Sequence, residues 1–317
     1  MPRTVTLIGP QRTEPTLAAV VESLGLQGRL AAITAGWEER EGEDQELRDH
    51  LGGRVVNLRV HERCERVYQA DAELFGAMRE RFDRQRRLQE LYRVRLAHAL
   101  EAARVLLRRR ADADVADLIG AATEEALEGL RELDARHLAH VAEIHAEFEA
   151  RWRPTERADV GRARDEIARD LDGCEAVCVA GGHVTVLLNR VRLLGLAQLF
   201  GERPLIAWSA GAMVVSRRVV LFHDSPPQGP GDAEVLETGL GLAPGVVALP
   251  HADKRLALGD RDRVELFARR FAPDLCAVLV HGARLDWDGV RWCGAENTRA
   301  LGTHGELDDV GICEVRA

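Results

Sequence analysis

Ser209 is the residue of this chain best placed to act as a nucleophile. It follows Pro204-Leu205-Ile206-Ala207-Trp208, a short apolar run that reads as a buried strand, and precedes Ala210-Gly211-Ala212-Met213, small residues suited to a helix. A strand that bends sharply into a helix presses together the side chains two before and two after the bend. Ala207 and Gly211 are small enough to allow it. The hydroxyl would stand at the tip of a sheet, and the free N–H groups of the new helix would face any negative charge developing beside it. The same ten residues also fit an ordinary strand-to-helix junction with Ser209 as a helix cap.

A serine hydroxyl needs a base. Val246-Val247-Ala248-Leu249-Pro250 reads as a strand that delivers His251 at its carboxyl end, where an imidazole could take the serine proton. Asp224, in Phe222-His223-Asp224, could orient that imidazole and stabilise its cation. Each has a structural alternative, since His251 could end a strand and Asp224 could form a turn. Arg217, Arg218, Lys254 and Arg255 lie close to these motifs in sequence and could pair with an acidic group on a substrate.

A second strand end carries Gly181-Gly182-His183 after Ala176-Val177-Cys178-Val179-Ala180. Two glycines let backbone amides approach a ligand closely, although a bare tight turn reads equally well and the GxGxxG spacing of a dinucleotide site is missing. His137, His140 and His145, with Glu143 and Glu147, spread over a broad helix face. That spread departs from the i, i+4 stacking of a metal-binding helix, so no metal and no cofactor is expected. Cys64, Cys174, Cys178, Cys276, Cys293 and Cys313 lack paired spacing and are expected to be reduced, mostly buried thiols.

These residues need a scaffold. Residues 4–60 alternate strand and helix patterns: Val5 to Ile8, a helix from about Thr16 to Leu24, Ala31 to Ala35, a polar helix through Leu47, then Val55 to Val60. Such alternation predicts a parallel sheet with helices on its faces and ligands at the carboxyl ends of its strands. From His61 to Arg153 the chain turns into long, charged helix with apolar stripes, as in Leu74, Met78 and Phe82. The parallel-sheet pattern then resumes. Residues 1–60 and 154–317 are therefore expected to form one α/β domain, with 61–153 inserted as an arm, a lid or a dimerisation element whose stripes a second copy of the chain could cover.

Composition narrows the partners. With 317 residues, 46% of them hydrophobic, the chain can bury a large core, and a formal net charge of −9 argues against a nucleic-acid binder. No apolar run of about 18 residues is present to cross a bilayer, and MPRTVTLIGPQ enters a strand without a signal-peptide pattern. A cytoplasmic enzyme or binding protein is expected.

The double glycine with its helix Leu187-Leu188-Asn189-Arg190-Val191-Arg192-Leu193-Leu194-Gly195-Leu196, followed by Trp208-Ser209-Ala210-Gly211-Ala212, resembles the peptidase E and cyanophycinase group of serine peptidases. The resemblance covers residues 1–60 weakly and 160–290 more firmly. It implies a flavodoxin-like, class I glutamine amidotransferase-like three-layer sandwich with a mostly parallel sheet, to which the long α-helical insertion is an addition. It also implies Ser209 as nucleophile, His251 as base, and Asp224, 15 positions beyond the serine, as the acid. The oxyanion hole would map onto the backbone of Gly182 and Ala210. Where the family usually has asparagine, this chain has His183, which would help position substrate. In the cyanophycinase branch the acid follows the histidine, in a segment here without a carboxylate, and Asp286 and Asp288 are weaker alternatives that also read as a hairpin turn.

The expected activity is cleavage of an amide in a small peptide, aspartyl or isoaspartyl by family preference, through a Ser-His-Asp triad and an acyl-enzyme. A reading from another class is a catalytically inactive scaffold that binds a partner or dimerises through the helices. His183 and the insertion motivate it.

Overall fold

The computed structural model describes residues 2, 4–109, 115–224 and 231–311. The first half of the sheet domain runs β1 (Val5–Ile8), α1 (Leu17–Ser23), β2 (Arg29–Ile33), a 3-10 turn (Ala35–Arg40), α2 (Gln45–His50), β3 (Val55–Asn57) and α3 (Val60–Ala70). The strand expected to reach Val60 stops at Asn57, and Val60 already opens α3. Its amides there find a carboxylate: Glu62 N donates to Glu41 Oε2 at 3.0 Å.

Two helices of 37 residues follow, α4 (Ala72–Arg108) and α5 (Ala116–Trp152), packed side by side as an antiparallel hairpin. Then come α6 (Ala158–Leu171), β4 (Cys174–Val179), α7 (Val184–Leu193), β5 (Leu205–Trp208), α8 (Ala210–Val215), β6 (Arg218–Leu221) and β7 (Glu234–Thr238). The chain continues through β8 (Val246–Pro250), α9 (Ala252–Arg255), α10 (Arg261–Phe271), β9 (Leu275–Leu279), β10 (Arg284–Trp287), β11 (Trp292–Gly294), β12 (Arg299–Leu301) and β13 (Leu307–Asp309).

The large sheet has the order β11-β10-β1-β5-β4-β2-β3. Strands β1, β5, β4, β2 and β3 are all parallel, while β10 and β11 pair antiparallel at the β1 side. A second sheet, β13-β12-β9-β8, keeps β8 and β9 parallel, and β6 pairs with β7 as a separate ribbon.

Side-chain alternation sends Leu30, Ala32, Ala176, Cys178, Ile206 and Trp208 to one face, against Leu17, Val20 and Val21 of α1. Ala31, Ile33, Val177, Val179, Leu205 and Ala207 face the other way, into the larger core shared with α6, α7, α8 and the hairpin. Helix, sheet, helix is a three-layer α/β sandwich, as the alternation predicts.

The hairpin does not merely project from this body. Its inner face is tied down by a buried group: Arg270 on α10 donates to Asp134 of α5 at 2.7 and 2.8 Å, and Tyr92 of α4 donates to Asp134 at 2.7 Å. Arg270 and Asp134 are each only 2% exposed, and Tyr92 Oη also accepts from Val235 N of β7. His137 stacks on Tyr92 with centroids 4.2 Å apart, and His145 lies 2.9 Å from Glu237 of β7 in a cluster with Arg192 of α7. His137 Nε2 also lies 3.1 Å from Leu236 O, so the two histidines tie the hairpin to β7, with burial holding both below the ordinary imidazole pKa. Cys64, Cys174, Cys178 and Cys276 are buried free thiols. Cys293 is disulfide-bonded, which departs from the expectation of reduced thiols throughout, and Cys313 lies outside the described residues.

Candidate active site

The elbow is built by close packing at the carboxyl ends of β4 and β5. Ser209 has φ 51° and ψ −126°, a conformation that L-residues rarely adopt and that persists only where the surroundings impose it. What imposes it is visible around it. A Cβ on Gly211 would lie 2.2 Å from the carbonyl oxygen of Val179, so α8 can press against β4 only with glycine there. A Cβ on Gly181 would lie 2.6 Å from that of Ser209. Both small residues are steric requirements of the bend, and Ala207 before it is buried.

His251 arrives from β8. It sits just past the strand in the left-handed region (φ 57°, ψ 31°), with its N–H donating to Leu279 O of β9 at 3.1 Å. This turn brings Nε2 to 3.3 Å from Ser209 Oγ. With the proton on Nδ1, the serine hydroxyl donates to Nε2. Burial, followed by the positive charges of Arg255 and Lys254, pushes the His251 pKa below the ordinary imidazole value. The ring is therefore neutral at pH 7, the form a base requires.

Asp224 stands elsewhere than on the imidazole. Its carboxylate accepts from Ala257 N at 2.7 Å and pairs with the Arg263 guanidinium, and its own N–H donates to Arg255 O at 2.7 Å. Among the described residues, no hydrogen bond joins Asp224 to His251, and Nδ1 of His251 has no partner. The reason is local: α9 and the loop after it leave backbone polar groups at residues 255–257, and Asp224 satisfies two of them. It steadies the segment that follows His251. Asp286 is engaged in β10, accepting from Thr6 Oγ1 at 2.6 Å and pairing with Arg284, while Asp288 accepts from Val290 N and Arg291 N in the hairpin turn.

The double glycine lies against the elbow. Gly182 has φ 115°, and a Cβ there would meet Gly36 O at 2.2 Å. Gly36 O accepts from His183 N at 2.7 Å, so the turn after β2 buttresses the turn after β4. Neither Gly182 N nor Ala210 N donates to any acceptor among the described residues; Ala210 follows the serine directly, and Gly182 follows the Gly181 that packs against it. The His183 ring caps α7, its Nδ1 accepting from Val186 N at 3.3 Å.

The cations divide. Arg218 pairs with Asp274 and is thereby taken out of the site, and Arg217 and Lys254 are exposed. Arg255 is different. It is half-buried, makes no ion pair or side-chain hydrogen bond among the described residues, and burial alone pulls its pKa down. Gly36 and Arg263 carry structural duties here that their sequence surroundings do not advertise. Gly36-Trp37 shows only as a strand end, and Arg263 as one more helix arginine.

Residues 133–278 match peptidase family S51. The match contains the elbow, the double glycine, Asp224 and His251. Over those residues the chain is similar to the peptidases of family S51. The matched segment begins within α5, so part of the helical stretch expected to fall outside the resemblance lies inside the family region, whereas residues 1–60 lie outside it. The chain is similar in structure to a peptidase from an acI-B1 Actinobacterium, with 14% identity, a TM-score of 0.46, and coverage of 99% of this chain and 96% of that one. No curated protein matches it. Among the described residues, no helix is long and apolar enough to cross a membrane, and no cluster of metal-ligating side chains occurs.

Proposed function

We propose that this protein is a serine peptidase that hydrolyses an amide bond in a small peptide through Ser209 and His251. The observation that carries the reading is the 3.3 Å approach of Ser209 Oγ to His251 Nε2 at a strained bend flanked by two unpartnered amides. As Oγ attacks the scissile carbonyl carbon, Nε2 takes its proton. The carbonyl oxygen becomes an oxyanion facing the N–H groups of Gly182 and Ala210. The C–N bond then breaks, the imidazolium returns the proton to the leaving amine, and an ester on Ser209 remains. Water, deprotonated by the same imidazole, releases the acid and restores the hydroxyl.

Asp224 supports this chemistry at one remove, by holding the backbone after α9 that keeps His251 in place. Arg255 supports an acidic substrate: an unpaired, half-buried guanidinium beside the base is complementary to a carboxylate near the scissile bond. Aspartyl or isoaspartyl peptides are the first substrates to assay. Ser209→Ala should lower kcat by about 10³-fold or more on such a peptide. Wild-type turnover in the alanine variant would remove the mechanism.

A further inference from the structure

We propose that the outward face of the α4–α5 hairpin is the contact surface for a second copy of this chain, forming a four-helix bundle in which α4 of each copy lies on α5 of the other. The inner face is already committed to β7 and α10. The outer face carries large apolar side chains that nothing among the described residues covers: Leu91 is 67% exposed, Val94 62%, Val105 54% and Leu118 71%. On α4, Leu91, Val94, His98, Ala102 and Val105 recur at steps of three and four, which places them on one stripe. Between the helices runs a groove of about 310 Å³ lined by Arg95, Ala99, Ala102, Ala126, Gly129 and Leu133.

Charge identifies the occupant. Helix α4 carries nine arginines against five carboxylates, and α5 nine carboxylates against three arginines. On the exposed surface, Arg87 and Arg95 of α4 and Glu125 and Glu143 of α5 make no ion pair among the described residues. A surface with one basic and one acidic ridge is its own complement when turned about a two-fold axis running along the hairpin, because each basic ridge then meets an acidic one. The internal register sets Arg84 beside Glu147 and Tyr92 over His137. In that register Arg87 is level with Glu143. The two-fold therefore brings this pair face to face across the copies, once on each side of the axis. At 1.5 Å per residue the stripe from Arg84 to Val105 is about 33 Å long, and two helices wide it offers on the order of 700 Å² per copy, close to the roughly 800 Å² of a standard interface.

Sedimentation equilibrium of the full chain, from roughly 1 to 100 µM, tests this. Wild type should be a dimer in the upper part of that range, weakened by high salt. Leu91→Glu with Val94→Glu should be monomeric, with the thermal midpoint of wild type diluted below its dissociation range. Arg87→Glu, which acts at both symmetry-related contacts, should weaken the dimer at least tenfold, and adding Glu143→Arg should restore it. Three results overturn the proposal: a wild type that is monomeric throughout, a dimer indifferent to the Leu91 and Val94 changes, or a charge reversal that its counterpart does not rescue. None of these readings uses catalysis, so the proposal stands or falls apart from the peptidase mechanism.

Discussion

At the scale of single residues, the electrostatic setting of His251 has a direct kinetic consequence. A base must be neutral, and burial together with the Arg255 and Lys254 charges lowers the pKa of this ring. Hence kcat/KM should rise with pH through a midpoint below the ordinary histidine value of about 6.5, and stay level above it. Replacing Arg255 by methionine removes one of the lowering charges. The midpoint should then move up, while KM for an acidic peptide rises more than KM for its amide analogue; a pH–rate profile with both substrates reads both effects. Asp224→Asn provides a second test. An aspartate on the imidazole would cost about 10⁴-fold in kcat when so changed, whereas a carboxylate holding Ala257 N and Arg263 should cost far less and lower the thermal midpoint. Ser209 and His251 were legible because each closes an apolar strand run. The true partner of Asp224 was not, since a sequence interval of 15 positions says nothing about which backbone groups remain unsatisfied nearby.

At the scale of elements, the elbow depends on how closely α8 can pack on β4. Gly211→Ala would force a methyl into the Val179 carbonyl, so β4 or α8 must shift. The variant should be destabilised by about 1–3 kcal/mol and lose activity together with fold, as urea titration and turnover would show. The small residues around Ser209 signalled this packing in the sequence, but the Gly36 carbonyl that seats Gly182 did not, because it belongs to a turn more than 140 residues earlier. The end of β3 also escaped periodicity: Val55 to Val60 is apolar enough for one strand, yet Asn57 bonds to Thr34, Glu41 and Asp44 and turns the chain into α3. Long helices were plain from their stripes. Their anchoring was hidden, since Tyr92, Asp134 and Arg270 are polar residues whose burial no pattern announces. Removing one member should be severe: Asp134→Ala leaves Arg270 buried without its counter-charge and should cost about 3–5 kcal/mol in a chemical melt.

At the scale of the whole molecule, the parallel strands gather the elbow, the double glycine and the Gly36 turn at one end of the sheet, where the rule for open α/β sheets places ligands. Alternating strand and helix make that architecture legible in the sequence itself. The second sheet was less so, because β9, β12 and β13 mix parallel and antiparallel pairing that local sequence does not order. The hairpin forms a separate surface, bound to the body through buried charges that a rigid swing would have to break. The peptidase reading, by contrast, concentrates on one hydroxyl. Its most direct measurement is the intact mass of the protein after treatment with a fluorophosphonate, in wild type, Ser209→Ala and His251→Ala. A single adduct on Ser209 that disappears in the first variant and forms at least about 100-fold more slowly in the second is the predicted result. An unlabelled wild type, or labelling at the same rate without His251, would contradict it.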